Sequence, residues 1–106
     1  MRTLQLPRLN GLTPTLESTA LKLMEEAGEL AQAIGKSRGL SGEAAASSDT
    51  DEVFGRIASE LLDVAQTAVT MMYVLEEQHG VDVQQALFEH VDKLRRKGYL
   101  YDTCKL

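Results

Sequence analysis

The sequence predicts an all-α fold: an antiparallel bundle of three main helices that is completed by homo-oligomerisation. Apolar residues recur at spacings of three and four, which is the period of a helix packed on one face. Glycines and capping residues divide the chain into three such segments. No stretch shows the strict alternation of a half-buried strand. All 106 residues are expected to form one helical domain, since most domains hold roughly 100–150 residues.

The chain begins with an arm over residues 1–12 that contains Pro7 and Gly11 and shows no helical period. We expect this arm to be extended, because proline and glycine are both unfavourable inside a helix. The side chains of Leu4, Leu6 and Leu9 are available to pack against another element or against a neighbouring subunit.

The first helix is predicted to follow the arm directly. Thr13 is expected to cap it, with Pro14 at the first helical position. The apolar period then continues to Ile34, and Gly35 is expected to end the helix. Residues 35–51 are rich in glycine, serine and alanine and predict a flexible loop, long enough to be functional or disordered.

The two remaining helices each begin at a capping-box spacing and end before a glycine. They are predicted over Thr50–His79 and Val83–Lys97. The capping pairs are Asp49 with Glu52 and Asp82 with Gln85, and the terminating glycines are Gly80 and Gly98.

The second predicted helix is apolar around most of its circumference between Ile57 and Leu75. Such a helix has to be buried on several sides, and three helices of a short chain can hardly cover it. A homodimer or homotetramer is therefore expected, and a monomeric three-helix bundle is the alternative.

Composition narrows the class of partner. Lys+Arg is 11 and Asp+Glu is 16, so the net charge is −5, which argues against a nucleic-acid polymer or an anionic membrane as the partner. The longest apolar run is interrupted by polar residues and is too short to span a bilayer. The single cysteine, Cys104, excludes an internal disulfide and favours a cytoplasmic protein.

Five carboxylates on the first two helices predict a metal site. They are Glu25, Glu26, Glu29, Glu60 and Asp63. The pairs Glu26/Glu29 and Glu60/Asp63 have a spacing of three, so the two side chains of each pair project together. The apolar segment around the second pair contains no lysine or arginine. Two acid pairs on neighbouring helices form an all-oxygen site, which favours Mg²⁺ or Mn²⁺. The alternatives are a solvated acidic face and ion pairs with a partner subunit.

Basic residues cluster at the end of the third predicted helix, among them Lys93, Arg96 and Lys97. One interpretation is that they complement the negative end of the helix. The other is contact with the phosphates of a substrate, for which arginine offers two parallel donors.

The two acidic motifs resemble a known family. The segments EEAGEL at residues 25–30 and ELLD at 60–63 are similar to the Glu-Glu-x-x-Glu and Glu-x-x-Asp signature of the MazG-like all-α NTP pyrophosphohydrolases. The resemblance extends over roughly Leu16 to Lys97. It implies a Mg²⁺-dependent enzyme that cleaves the α–β phosphate bond of (deoxy)nucleoside triphosphates, in nucleotide-pool housecleaning. It also implies dimers or tetramers with the site between helices.

The resemblance also implies a role for individual residues. The metal ligands would be Glu26, Glu29, Glu60 and Asp63. Glu25 would be a further ligand or would orient the attacking water. Residues Lys93, Arg96 and Lys97 would contact the substrate phosphates. A non-catalytic module that binds metal or nucleotide, or that serves oligomerisation, is the alternative.

Overall fold

A computed structural model describes residues 3–37 and 50–100 of the chain. Within these ranges there are three α-helices and no β-strand: α1 (Leu16–Ser37), α2 (Thr50–His79) and α3 (Val83–Arg96). The all-α prediction is therefore confirmed for this part of the chain. Helix α1 packs on α2, and α3 contacts α2 but not α1. None of the three helices is long and apolar enough to cross a membrane.

Helix α1 begins two residues later than the sequence predicted. The capping residue is Thr15 instead of Thr13: Thr15 Oγ1 accepts a hydrogen bond from the Ser18 backbone N–H at 3.0 Å. The Thr15 backbone N–H donates in turn to Ser18 Oγ at 2.8 Å, so the pair satisfies two donors at the helix end. Pro14 precedes this cap, and its carbonyl accepts a hydrogen bond from Gln78 Nε2 on α2 at 2.8 Å.

The predicted end of α1 is also corrected, because Gly35 does not terminate the helix. A terminating glycine adopts a positive φ, and Gly35 does not. The helix continues to Ser37 with Lys36 in its last turn, where a positive charge complements the negative helix end. The predicted loop over 35–51 is therefore helical at both edges, and its remainder, 38–49, lies outside the described residues.

Helix α2 spans Thr50–His79, as predicted. Gly80 follows with a φ of +68°, in the left-handed region that glycine adopts most readily. The Val81 backbone N–H donates to the Leu75 carbonyl at 3.1 Å, so the chain just beyond Gly80 satisfies a carbonyl of the last helical turns. The capping pair predicted at the start of α2 includes Asp49, which lies outside the described residues.

Helix α3 begins at Val83, as predicted, with Asp82 as its cap. Asp82 Oδ1 accepts a hydrogen bond from the Gln85 backbone N–H at 2.9 Å. The Gln85 side chain extends along the helix, where its Nε2 donates to Glu89 Oε1 at 3.2 Å. The helix ends at Arg96, one residue before the predicted end, and the terminating glycine follows with a φ of +83°.

Removal of the α3 cap is expected to lower the stability of the protein. Asp82→Ala deletes the acceptor for the Gln85 N–H and should reduce the free energy of unfolding by about 1 kcal/mol. Urea unfolding followed by far-UV circular dichroism measures this change. Asp82→Asn is the control, because its side-chain oxygen preserves the cap. An unchanged midpoint in Asp82→Ala would contradict the capping role.

The N-terminal arm lies against α2 of its own chain. Gln66 Nε2 donates to the Pro7 carbonyl at 2.8 Å. Further along, Arg8 forms an ion pair with Glu77, and its guanidinium carbon lies 5.4 Å from the centre of the Tyr73 ring. A cation over an aromatic face is attractive, so this contact adds to the ion pair. The arm is thus attached to α2 by polar contacts.

Little apolar surface is buried within one chain. Among the described residues, the buried apolar side chains are Ala33 and Val74. Leu62 and Met72 of α2 are 53% and 50% exposed, and both point away from the side that carries Val74. One chain therefore leaves α2 uncovered on the side where the sequence predicted burial.

Candidate metal centre

Two stripes with a seven-residue spacing face each other between α1 and α2. Seven residues make nearly two helical turns, so residues at this spacing share one face of a helix. The stripe on α1 consists of Thr19, Glu26 and Ala33, and all three are buried. The stripe on α2 consists of Glu60, Thr67 and Val74, which are half-buried, half-buried and buried. Each helix therefore directs one glutamate toward the other helix.

Glu26, Glu60 and Asp63 form an acidic cluster. One carboxylate oxygen from each of the three lies within 4.8 Å of the other two. Glu60 and Asp63 are three residues apart on α2, so both reach the same point on its surface. Glu26 is buried, Glu60 is half-buried and Asp63 is exposed. The cluster is therefore open to solvent at Asp63 and closed at Glu26.

Two oxygens of the acidic cluster are buried without a partner. Glu26 Oε2 and Glu60 Oε2 are inaccessible to solvent and accept no hydrogen bond from the described residues. Buried carboxylates are costly unless a hydrogen bond or a cation compensates them. Carboxylate oxygens are also the ligands that hard divalent cations prefer. The residues present therefore fit a divalent metal ion.

Within the described ranges, Lys22 is the cationic side chain that contacts the acidic cluster. Its Nζ lies 3.0 Å from Glu26 Oε1 and 3.8 Å from Glu25 Oε2. The hydrogen bond to Glu26 and the charge of that carboxylate raise the pKa of Lys22 above its usual value. Our sequence analysis missed this residue, although the four-residue spacing of Lys22 and Glu26 is typical of an ion pair along a helix.

The other two acids of α1 lie at the edge of the acidic cluster. Glu29 is exposed, and the negative charge of Glu26 raises its pKa, followed by partial desolvation and the charge of Glu60. Glu29 therefore interacts electrostatically with the acidic cluster but is not one of the three residues whose oxygens lie within 4.8 Å of one another. Glu25 is exposed and faces Lys22, so its predicted role as a ligand or water-orienting group stays a prediction.

The predicted phosphate-binding residues lie apart from α1. Lys93, Arg96 and Lys97 are exposed at the end of α3, and no described residue of α3 contacts α1. Arg96 Nε lies 3.0 Å from Asp92 Oδ2, in an ion pair within the helix. One chain therefore does not bring these three residues against the Glu26 side of the acidic cluster, and their predicted role stays a prediction.

A cavity of about 390 Å³ lies beside Lys22. Lys22 and Thr19 of α1, Thr67 of α2 and Leu12 of the arm contribute to its walls. Its volume falls within the range of small-molecule sites, roughly 300–1,000 Å³. A second, larger groove of about 760 Å³ lies between the arm and the C-terminal part of α2, near Arg8.

The match to a family model decides the family. The model of the MazG nucleotide pyrophosphohydrolase domain matches residues 14–98, which include all three helices and every acid discussed above. The chain belongs to the MazG family. The resemblance that the two acidic motifs indicated is therefore confirmed. No curated protein and no solved structure matches this MazG domain.

Membership in this family indicates nucleotide pyrophosphohydrolase chemistry in general. MazG domains generally depend on a divalent metal, and the acidic cluster supplies carboxylates that suit one. The acidic cluster of this MazG domain is therefore consistent with the divalent-metal dependence of its family.

Proposed function

We propose that this MazG domain hydrolyses nucleoside triphosphates, either ribo- or deoxyribonucleotides, between the α and β phosphorus atoms. The products are the monophosphate and pyrophosphate. The observation that carries the proposal is the acidic cluster, where unpartnered oxygens of Glu26 and Glu60 are buried beside Asp63. A polyphosphate is a poor ligand for three carboxylates alone, and a shared divalent cation makes the two compatible.

The proposed metal ion is Mg²⁺, with Mn²⁺ as a substitute. Its ligands are Glu26, Glu60 and Asp63, with Glu29 as the fourth carboxylate at the edge of the acidic cluster. The donors are oxygens throughout, without histidine or cysteine in the set, and this favours Mg²⁺ or Mn²⁺ over Zn²⁺. When bound, the ion polarises phosphate oxygens and makes a coordinated water more acidic.

The remaining acid is proposed to serve the attacking water. Glu25 is exposed, with its carboxylate 3.8 Å from Lys22 Nζ, and its proposed role is to orient a water molecule and accept its proton, or to act as a further ligand. The water oxygen forms a bond to the α phosphorus as the bond to the bridging oxygen breaks. The electron pair of that bond leaves with pyrophosphate.

In the proposed assembly, the basic end of α3 of one subunit binds the phosphates of a substrate that is held by a neighbouring subunit. Lys93, Arg96 and Lys97 are exposed, and α3 does not contact α1 within the described part of the chain. A second subunit is therefore the route by which these side chains reach a substrate bound at Glu26. Arginine suits this role because its two parallel donors match a phosphate.

We propose a homodimer or homotetramer with antiparallel packing of α1 and α2. The antiparallel packing is supported by two contacts: the start of α1 lies near Gln78, at the end of α2, whereas Glu26 lies near Glu60. Exposed apolar residues on the outer faces of both helices support assembly, since apolar patches of this kind mark interfaces.

The nucleoside of the substrate is proposed to occupy the cavity beside Lys22. Pro14 and Leu12 offer apolar contact for a base, and Gln66 and Thr70 offer polar groups for a base edge or sugar. The proposed cellular role is housecleaning of the nucleotide pool in the cytoplasm, with neither a nucleic-acid polymer nor a membrane as partner.

Product analysis tests the proposed function. The protein is incubated with each ribo- and deoxyribonucleoside triphosphate, with Mg²⁺ and separately with EDTA, and pyrophosphate is separated from orthophosphate. We expect pyrophosphate and the matching monophosphate in equal amounts, with Mg²⁺ only. A preparation of Glu60→Gln purified in the same way controls for contaminating enzymes. Orthophosphate as the product, or saturable nucleotide binding without any product, would contradict the proposal and favour a binding module.

A further inference from the structure

The ion pair between Lys22 and Glu26 neutralises the acidic cluster incompletely. Lys22 Nζ is 3.0 Å from Glu26 Oε1, whereas Glu26 Oε2 and Glu60 Oε2 are buried without a partner. Three carboxylates therefore face a single ammonium group among the described residues. The Glu26 side chain is 8% exposed, but the Lys22 side chain is 57% exposed. The acid is held in place by packing, and the base is free to move.

We propose that Lys22 is an exchangeable counter-ion of the metal centre. Its ammonium group forms an ion pair with Glu26 Oε1 in the metal-free protein. This ion pair breaks when a divalent cation binds to the acidic cluster. This inference rests on the proposed function, since it takes the cluster to be the metal centre.

The exchange follows from charge and reach. A divalent cation held by Glu26 lies within a few ångströms of any group that contacts the same carboxylate, and two cations at that distance repel each other strongly in a partly buried site. A lysine side chain has four flexible bonds and a strongly hydrated head group, so it moves away with little loss of packing. The metal therefore replaces the lysine instead of binding beside it.

The structure also provides a place for the displaced ammonium group. Lys22 forms part of the wall of the 390 Å³ cavity, next to Ser18 and Thr19 of its own helix and opposite Gln66 and Thr67 of α2. The threonine and glutamine oxygens are acceptors for an ammonium group. After the exchange, Lys22 therefore remains at the cavity and no longer shields Glu26.

Metal binding in the absence of nucleotide tests the exchange. Isothermal titration with Mn²⁺ is performed on the wild-type protein, on Lys22→Gln and on Lys36→Gln. Lys36 lies on the same helix, about 21 Å from Lys22 along its axis, so its substitution changes the net charge equally without touching the cluster. We expect Lys22→Gln to bind Mn²⁺ about three to ten times more tightly than the wild type, because the competing cation is gone. Lys36→Gln should stay within about twofold of the wild type.

A second measurement follows the lysine itself. Acylation of lysines by a succinimidyl ester, read by mass spectrometry, compares the wild-type protein with and without Mn²⁺. The labelling rate of Lys22 is expected to rise severalfold with Mn²⁺, because an ammonium group that no longer contacts Glu26 is more accessible to the reagent. The rate for Lys36 should not change.

The outcomes separate this inference from the proposed function. Equal or weaker Mn²⁺ binding by folded Lys22→Gln, or an unchanged labelling rate for Lys22, overturns the exchange and leaves the pyrophosphohydrolase proposal standing. Absence of Mn²⁺ binding in the wild-type protein overturns both. Far-UV circular dichroism and thermal melting of Lys22→Gln establish that the variant is folded before it is titrated.

Discussion

Glu60→Gln and Asp63→Asn are each expected to abolish turnover, and Glu60→Gln is also expected to make the metal-free protein more stable. Loss of a ligand should reduce kcat by more than about a hundredfold, since residues that merely support ligands contribute 10–100-fold. The metal-free protein should gain about 1 kcal/mol in Glu60→Gln, because the substitution removes an unpartnered buried charge. Activity assays, Mn²⁺ titration and urea unfolding in EDTA measure the three effects.

Glu76→Gln is the matched control for these two variants. Glu76 lies on the same helix and is exposed, and it does not belong to the acidic cluster. Its substitution removes one negative charge and should leave activity, metal affinity and stability near the wild-type values. Wild-type turnover in both Glu60→Gln and Asp63→Asn would refute the assignment of these residues. Lost activity combined with lost helicity would instead indicate a structural role.

The double variant Leu21→Lys/Met24→Lys is expected to dissociate the assembled protein. Leu21 and Met24 are 71% and 73% exposed, and they lie on the side of α1 opposite Thr19 and Glu26. Burial of each such side chain contributes roughly 1.5–3 kcal/mol, so losing both should weaken association at least about a hundredfold. Sedimentation equilibrium over a range of protein concentrations measures the shift toward the monomer.

Glu17→Gln/Gln32→Lys is the control for the change in charge. Both residues are exposed on α1, and the pair of substitutions raises the net charge by the same two units without removing apolar surface. This variant should assemble like the wild-type protein. A wild-type protein that sediments as a monomer at high concentration would contradict the proposed oligomer. Unchanged assembly of the Leu21/Met24 variant would show that the outer face of α1 is not the interface.

The helix boundaries show how far local signals reach. The end of α2 was predicted correctly because Gly80 takes up a positive φ, which costs glycine little and other residues more. The predicted start of α1 was wrong because Thr13 and Thr15 are both capable of capping the helix. The hydrogen bonds with Ser18 and the contact of Pro14 with α2 favour Thr15. The prediction that α1 ends at Gly35 was wrong because a glycine inside a helix costs only about 1 kcal/mol, which neighbouring turns offset.

At the acidic cluster, too, the sequence predicted one part of the arrangement and helix packing decided the other. The spacing of Glu60 and Asp63 within an apolar helix was enough to predict a metal site on α2. On α1, Glu25, Glu26 and Glu29 have similar local surroundings in sequence, and packing against α2 is what buries Glu26 and leaves Glu25 in solvent. The four-residue spacing of Lys22 and Glu26 is present in the sequence, but only the structure shows that the Glu26 carboxylate is buried and that Lys22 is its exposed partner.

The sequence alone was sufficient for the helical class, the bounds of α2 and the family, because capping, period and charge spacing act over a few neighbouring residues. It also predicted a metal site at the paired acids, which stays a prediction. Helix packing was needed to show that Glu26, Glu60 and Asp63 converge and that two of their oxygens are buried without a partner. It was also needed to place Lys22 between the acidic cluster and a cavity. These features depend on distances between residues far apart in the chain, and the summed burial of whole helix faces sets those distances.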